Sequence, residues 1–125
     1  MIAGIGIDVV EVRTTRRWLT HYSCDVLNLV FTKKELEVSF CRSDAAQFLA
    51  TCFAGKEAVV KALAFDLEPI DWSEIEIAPR LPCCEIRLYG KAQQHCAARG
   101  ISRCVASCTD ILDHVIVVAI AETQG

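Results

Sequence analysis

The longest element that the sequence predicts is a helix over residues 45–65, in the middle of a chain of 125 residues. Ser43 or Asp44 stands where an N-terminal cap is expected, and Pro69 prevents the helix from continuing. A chain of this length fits one domain and leaves little room for a second core. We therefore expect the helix and its flanking segments to form one domain. The apolar residues that recur at helical spacing along the helix are Phe48, Cys52, Val59 and Leu63.

The flanking segments predict strands at both ends of the chain and shorter helices between them. Thr32 and Glu35 form the capping-box pattern at the start of a helix that ends near Cys41. Pro79 and Pro82 predict a bent loop between two strands instead of a tight hairpin. This order indicates an α+β fold, with residues 1–125 as a single domain. Strands are predicted over residues 2–12, 73–78, 84–89, 102–108 and 114–122, and helices over residues 13–22 and 91–99, the latter closed by Gly100.

The composition excludes several classes of protein. A hydrophobic content of 53% rules out a disordered chain. No apolar run reaches the roughly 18 residues needed to cross a bilayer. The net charge of −3 lacks the basic field typical of nucleic-acid binding. The N-terminus has no basic region, and Asp8 and Glu11 interrupt its apolar run, so we expect no signal peptide and a cytoplasmic protein.

The cysteine content is high for such a protein, at eight in 125 residues. No two cysteines have the CxxC spacing of a zinc ribbon or of a thioredoxin-type motif. In a reducing compartment we expect the thiols to stay free. Most of them are predicted to act as small apolar residues in the core, with a metal cluster or a redox role as the alternative.

Charged side chains in two predicted elements indicate a candidate site. Asp8 lies in the middle of an apolar strand, where a carboxylate needs a metal, a donor cluster or water at an edge. Gly4 and Gly6 indicate that another element approaches this strand closely. Glu57 and Lys61 share a face of the long helix at spacing i, i+4, either as a surface ion pair or as a partly buried pair. A partly buried pair suits Mg²⁺ and phosphate, for which Asp8 and Glu57 would supply enough carboxylates.

The helix predicted after the first strand carries a cationic cluster. Arg13, Arg16 and Arg17 lie at i, i+3 and i+4, on one helix face. In an acidic protein this face is either an ordinary solvated surface or a binding surface for an anionic partner.

Three motifs occur in a specific order along the chain. They are Gly6-Ile7-Asp8-Val9-Val10-Glu11-Val12, Phe31-Thr32-x-x-Glu35 and Phe53-Ala54-Gly55-Lys56-Glu57-Ala58-x-x-Lys61-Ala62-Leu63. Together the motifs resemble the holo-acyl-carrier-protein synthase type of 4′-phosphopantetheinyl transferase, and the resemblance extends over nearly the whole chain. It implies an α+β domain in which an antiparallel sheet packs against a long helix.

The resemblance also implies an activity and its residues. The family transfers 4′-phosphopantetheine from coenzyme A to a serine hydroxyl of an acidic acyl carrier protein. By position, Asp8 and Glu57 would hold Mg²⁺, and Lys61 would neutralise charge on the phosphoryl groups. Lys56 is a second phosphate candidate, and Thr109 and Asp110 fall in the family's coenzyme A site. Arg13, Arg16 and Arg17 would receive the carrier, and a homotrimer with active sites between subunits is expected.

The sequence also departs from the family pattern. Thr14 stands where an arginine is usual, although Arg13 is adjacent, and Cys52 replaces a second arginine. Asp110 replaces a histidine, and Ala64-Phe65-Asp66 replaces a glycine-rich turn. Losing cations from a site for a polyanion weakens electrostatic complementarity. We therefore expect a divergent transferase for a specialised fatty-acid or polyketide carrier, or a weakly active or inactive relative that binds carriers. The remaining alternative is an unrelated Mg²⁺-dependent phosphoryl or nucleotide enzyme.

Overall fold

A computed structural model describes residues 1–64, 71–80 and 82–124. The strands in this part are β1 (Ile2–Glu11), β2 (Ile75–Arg80), β3 (Cys83–Leu88), β4 (Ile101–Ile111) and β5 (His114–Thr123). The helices are α1 (Val12–His21), α2 (Cys24–Leu27), α3 (Lys33–Phe40), α4 (Ala45–Leu63) and α5 (Gly90–Ala98), with a 3₁₀ turn at Trp72–Glu74. The short helix α2 is the one helix of the described residues that the sequence did not predict.

The strands form one antiparallel sheet in the order β1-β5-β4-β3-β2, and helix α4 packs across one face of it. Strand β1 lies directly against α4, as its two glycines indicate. A Cβ atom at Gly4 would lie 1.9 Å from the Ala62 carbonyl oxygen, and one at Gly6 would lie 1.9 Å from the Ala58 carbonyl oxygen. The strand's alternation therefore directs Gly4, Gly6 and Asp8 towards α4.

One hydrophobic core lies between α4 and the sheet. Leu49, Val59 and Leu63 of α4 are fully or almost fully buried, as are Val115 and Val117 of β5. The single core confirms the α+β domain with a long helix on an antiparallel sheet. None of the helices in the described ranges is long and apolar enough to cross a membrane.

The prediction of a bent loop around Pro79 and Pro82 was wrong. Strands β2 and β3 pair as neighbours up to Arg80 and Cys83, so only two residues of the sequence separate the paired strands. Pro79 has no backbone N–H to donate to a neighbouring strand. It is tolerated in β2 because β2 is an edge strand and has a neighbouring strand on one side only.

The end of the long helix also differs from the prediction. Helix α4 ends at Leu63, followed by Ala64 with a left-handed backbone (φ 53°), instead of continuing to residue 65. Residue 65 and Pro69, which was expected to stop the helix, lie outside the described residues. Asp44 is the N-terminal cap of α4, and its side chain accepts a hydrogen bond from the Gln47 amide.

Candidate active site

The close packing of β1 on α4 brings Asp8, Glu57 and Lys61 together. The Lys61 ammonium donates to Asp8 Oδ1 at 3.0 Å and to the Ile7 carbonyl oxygen at 2.9 Å. The Asp8 side chain is 11% exposed, whereas that of Lys61 is 53% exposed. The expected cluster of two carboxylates and one ammonium is therefore present, with its cation facing solvent.

The two carboxylates repel one another at this position. Burial, the Asp8 charge and a hydrogen bond with Asp8 together raise the pKa of Glu57 from 4.5 to about 7, against the opposing effect of Lys61. Asp8 Oδ2 is buried and has no hydrogen-bond partner in the described part of the chain. A buried carboxylate oxygen without a partner is costly, so a proton or a cation placed here would be stabilising.

This donor set fits Mg²⁺. Within the described ranges no three His, Cys, Asp or Glu side chains come together as a metal cluster. Mg²⁺ does not need one, because it usually takes one or two protein carboxylates and fills its remaining positions with water and substrate phosphate. Asp8 and Glu57 provide these two carboxylates, and the unpartnered Asp8 oxygen is a free ligand atom.

Lys56 has a different environment from the one expected of a phosphate ligand. Its side chain is fully buried and its ammonium lies 2.8 Å from Glu35 Oε1. The same ammonium donates to the Trp72 carbonyl oxygen at 3.0 Å and also to the Ile75 carbonyl oxygen. All three donors of the ammonium have protein acceptors. The structure therefore favours a structural role for Lys56 over phosphate binding.

Thr109 and Asp110 line a groove of about 530 Å³ between the first turns of α4 and the ends of β2 and β4. Asp110 Oδ2 accepts a hydrogen bond of 2.9 Å from the Gln47 side chain. The groove also contains Arg42 and Arg80, which the sequence analysis missed because no local pattern links them to it. Neither Asp8 nor Glu57 nor Lys61 lines this groove, so the two parts of the expected site are separate within one chain.

The three arginines of α1 are exposed, and Arg16 lies close to this groove. The Thr15 hydroxyl donates to the Ala46 carbonyl oxygen at 2.6 Å and fixes α1 against the start of α4. Arg16 lies 3.6 Å from Asp44, which lines the groove, and Arg13 pairs with Glu11. The cationic face of α1 is thus adjacent to the groove.

The eight cysteines are free thiols, as predicted. Cys52, Cys84, Cys96 and Cys108 are buried and Cys104 is half-buried, whereas Cys24, Cys41 and Cys83 are exposed. Cys52, at the position of the missing arginine, donates to the Ile77 carbonyl oxygen at 3.8 Å from within the core.

Comparisons with known proteins identify the family of this chain. The sequence model of the 4′-phosphopantetheinyl transferase superfamily matches residues 4–118. The chain is 36% identical over 105 residues to the holo-[acyl-carrier-protein] synthase of Geotalea daltonii, covering 82% of this chain and 84% of the relative. It is 34% identical over 123 residues to that of Chlamydia muridarum, covering 98% and 96%. The crystal structure of the synthase from Neisseria meningitidis is similar with a TM-score of 0.86, at 26% identity, over 98% of this chain and 100% of that one. The chain belongs to the 4′-phosphopantetheinyl transferase superfamily.

Proposed function

We propose that this chain is a holo-[acyl-carrier-protein] synthase that transfers 4′-phosphopantetheine from coenzyme A to a serine of an acyl carrier protein, in the cytoplasm. The cluster of Asp8, Glu57 and Lys61 is the observation that supports this most strongly, because it combines a free carboxylate oxygen with a solvent-facing ammonium. Curated relatives that match most of the chain are named for this activity.

In the proposed reaction the serine oxygen attacks the phosphorus next to pantetheine, and adenosine 3′,5′-bisphosphate leaves. Mg²⁺ held by Asp8 and Glu57 would supply positive charge to the phosphoryl oxygens. Lys61, anchored by Asp8 and Ile7, presents a second positive charge at the exposed side of the cluster. The proton of the serine hydroxyl would pass to Glu57 or to water.

We also propose a homotrimer in which the groove of one subunit faces the carboxylate cluster of the next. The outward face of β1 supports this, because its apolar side chains are about half exposed in the single chain. These residues are Ile2, Ile5, Ile7 and Val9. An arrangement of this kind would join Thr109 and Asp110 to the cluster from which they are separate within one chain.

The carrier is proposed to dock on the arginines of α1, which present positive charge beside the groove. Acidic carriers are complementary to such a surface. Transfer to apo carriers of both kinds distinguishes a fatty-acid carrier from a specialised polyketide carrier as the partner.

A weakly active carrier-binding relative is the second candidate. Two observations favour it: Asp110 adds negative charge to the groove, and Cys52 leaves no cation in the core position where the family has an arginine. Arg42 and Arg80 in the groove oppose this effect.

A panel of apo carrier proteins, incubated with coenzyme A and Mg²⁺, separates the two candidates. A synthase adds the mass of phosphopantetheine to at least one carrier, and Glu57→Gln abolishes the addition while the circular dichroism spectrum stays unchanged. If no carrier gains mass but one binds, the second candidate is correct. Retained transfer by Glu57→Gln would remove Glu57 from the proposed site.

A further inference from the structure

Two buried thiols that the proposed reaction does not use are in direct contact. Cys84 of β3 and Cys108 of β4 are 5% and 6% exposed, and their sulfur atoms lie 3.3 Å apart. The Cys84 thiol donates to the Cys108 sulfur, and the Cys108 thiol donates to the Pro82 carbonyl oxygen at 3.7 Å. These contacts hold the two sulfurs in one fixed arrangement.

The sheet register explains why the thiols meet. Cys84 pairs with Ala106, and Cys108 follows Ala106 by two residues, so both side chains lie on the face of the sheet that packs against α4. A disulfide bond is about 2.05 Å long, so the sulfurs need to approach by a further 1.2–1.3 Å or so. Rotation of the side chains and a small shift of the strands can supply this distance.

The pair also has an access route. Cys108 lines the groove that carries Thr109 and Asp110, whereas Cys84 does not line it. A small oxidant that enters the groove therefore meets Cys108 first, with Cys84 behind it as a second thiol in contact.

We propose that Cys84 and Cys108 are a redox modification site, at which a hydroperoxide forms a reversible disulfide that changes the groove. The Cys108 sulfur attacks the hydroperoxide, the O–O bond breaks and an alcohol or water leaves, which gives a sulfenic acid. The Cys84 sulfur then attacks the Cys108 sulfur, the S–O bond breaks and water leaves. Overall, the two thiols lose two electrons and two protons, and the peroxide is reduced.

The consequence for ligand binding rests on the proposed function. The disulfide would tie β3 to β4 beside Thr109 and Asp110 and would draw Cys108 away from its present position in the groove wall. We expect coenzyme A to bind the oxidised protein more weakly, and a thiol reductant to restore binding.

The second step is expected to be slow near neutral pH. Burial, together with the contact to Cys108, raises the pKa of the Cys84 thiol, so little thiolate is present. The rate of disulfide formation should therefore increase with pH through the alkaline range.

The experiment uses the full chain in which the three exposed cysteines are replaced, as Cys24→Ser, Cys41→Ser and Cys83→Ser, so that disulfides between molecules are suppressed. The folded protein is treated with hydrogen peroxide, free thiols are alkylated, and a non-reduced digest is analysed by mass spectrometry. We expect a linked pair of peptides containing Cys84 and Cys108, two hydrogens lighter than the separate peptides, that dithiothreitol separates. Cys84→Ser should remove the linked product, should bind coenzyme A normally before peroxide, and should leave Cys108 as the sulfenic acid after peroxide.

Cys96 and Cys104 provide the matched control within the chain. They line the same hollow beside α5, but no hydrogen bond joins their sulfurs in the described part of the chain. Equal linking of Cys96 to Cys104, or linking of Cys84 to Cys108 only in urea, would overturn the proposal. So would a Cys84–Cys108 disulfide that leaves coenzyme A binding unchanged. If the disulfide forms but even the reduced protein binds no coenzyme A, the modification site stands and the proposed function fails.

Discussion

Lys56→Met tests whether Lys56 is a structural residue or a ligand of phosphate. Methionine keeps an unbranched side chain of similar length but removes the ammonium. Glu35 then loses its ion-pair partner at 2.8 Å and keeps its hydrogen bonds from the Thr32 and Ile77 amides, both 2.8 Å long. The substitution therefore leaves a carboxylate buried with its charge uncompensated.

The expected cost is large. Removing one partner of a buried ion pair costs about 3–5 kcal/mol, compared with about 5–15 kcal/mol for the total free energy of unfolding. The carbonyl oxygens of Trp72 and Ile75 also lose a donor. The double variant Lys56→Met/Glu35→Gln should be less destabilised than Lys56→Met, because no unpaired charge remains.

The effect should also depend on pH. Burial raises the pKa of Glu35 above 4.5, while the Lys56 charge and hydrogen bonds from Lys56, Ile77 and Thr32 lower it. An acid with a raised pKa in the folded state stabilises the fold below its unfolded pKa, and this contribution is lost as pH rises through the folded pKa. Without Lys56 the pKa of Glu35 rises further. The destabilisation of Lys56→Met relative to the wild type should therefore be smallest at roughly pH 4 and should grow towards roughly pH 7.

Urea unfolding followed by tryptophan fluorescence measures these changes, since Trp18 and Trp72 are half-buried and both pack on Phe53. Lys61→Met is the matched control, because it makes the same substitution on the same helix at a side chain that is 53% exposed. Its stability should change less than that of Lys56→Met, because solvent screens the exposed ammonium of Lys61, while transfer is lost. If the free energy of unfolding of Lys56→Met lies within about 1 kcal/mol of the wild-type value and coenzyme A binding is weaker, Lys56 is a phosphate ligand and not a structural residue.

Three shorter predictions concern the site and its surroundings. Gly6→Ala should destabilise the protein by about 1–3 kcal/mol or more, because its Cβ would lie 1.9 Å from the Ala58 carbonyl oxygen; an unchanged urea midpoint would contradict this packing. Because the pKa of Glu57 is about 7 and a proton competes with the cation, Mg²⁺ affinity should rise about tenfold from roughly pH 6 to pH 8. If calorimetry finds that the Mg²⁺ affinity does not change with pH, Glu57 is not a ligand of the cation. Arg17→Glu should raise the carrier KM and leave coenzyme A binding unchanged, and a fall in coenzyme A binding would assign Arg17 to the cofactor site instead.

The elements of the fold were largely predictable because their signals are local. The capping box of Thr32 and Glu35 is formed as the sequence predicted, and the helical spacing from Phe48 to Leu63 falls within α4. The hairpin at Pro79 was not predictable in this way. Whether a proline can stand inside a strand depends on whether that strand lies at the edge of the sheet, which the order of all five strands decides.

The part of the site that lies on one helix face was predictable from the spacing of its residues. Glu57 and Lys61 lie one helical turn apart and point in one direction, as their spacing indicates. Lys56 belongs to the same motif but is rotated about 100° from Glu57 around the helix. Its side chain therefore enters the core, where its partner is Glu35 of another helix. No local pattern joins these two residues, and so the phosphate role expected for Lys56 had no independent support.

The packing that defines the fold also creates the chemistry of the site. Gly4 and Gly6 allow β1 to lie against α4 at a distance that no larger residue permits, and this places Asp8 beside Glu57. Two partly buried carboxylates in close proximity repel one another and so destabilise the fold. Lys61 neutralises only part of their charge. The folded chain therefore holds a local excess of negative charge together with an unpaired oxygen on Asp8. A proton relieves this excess below about pH 7 and a divalent cation relieves it above that pH. The stability of the packed strand and the affinity for a cation are therefore linked through the same pair of residues.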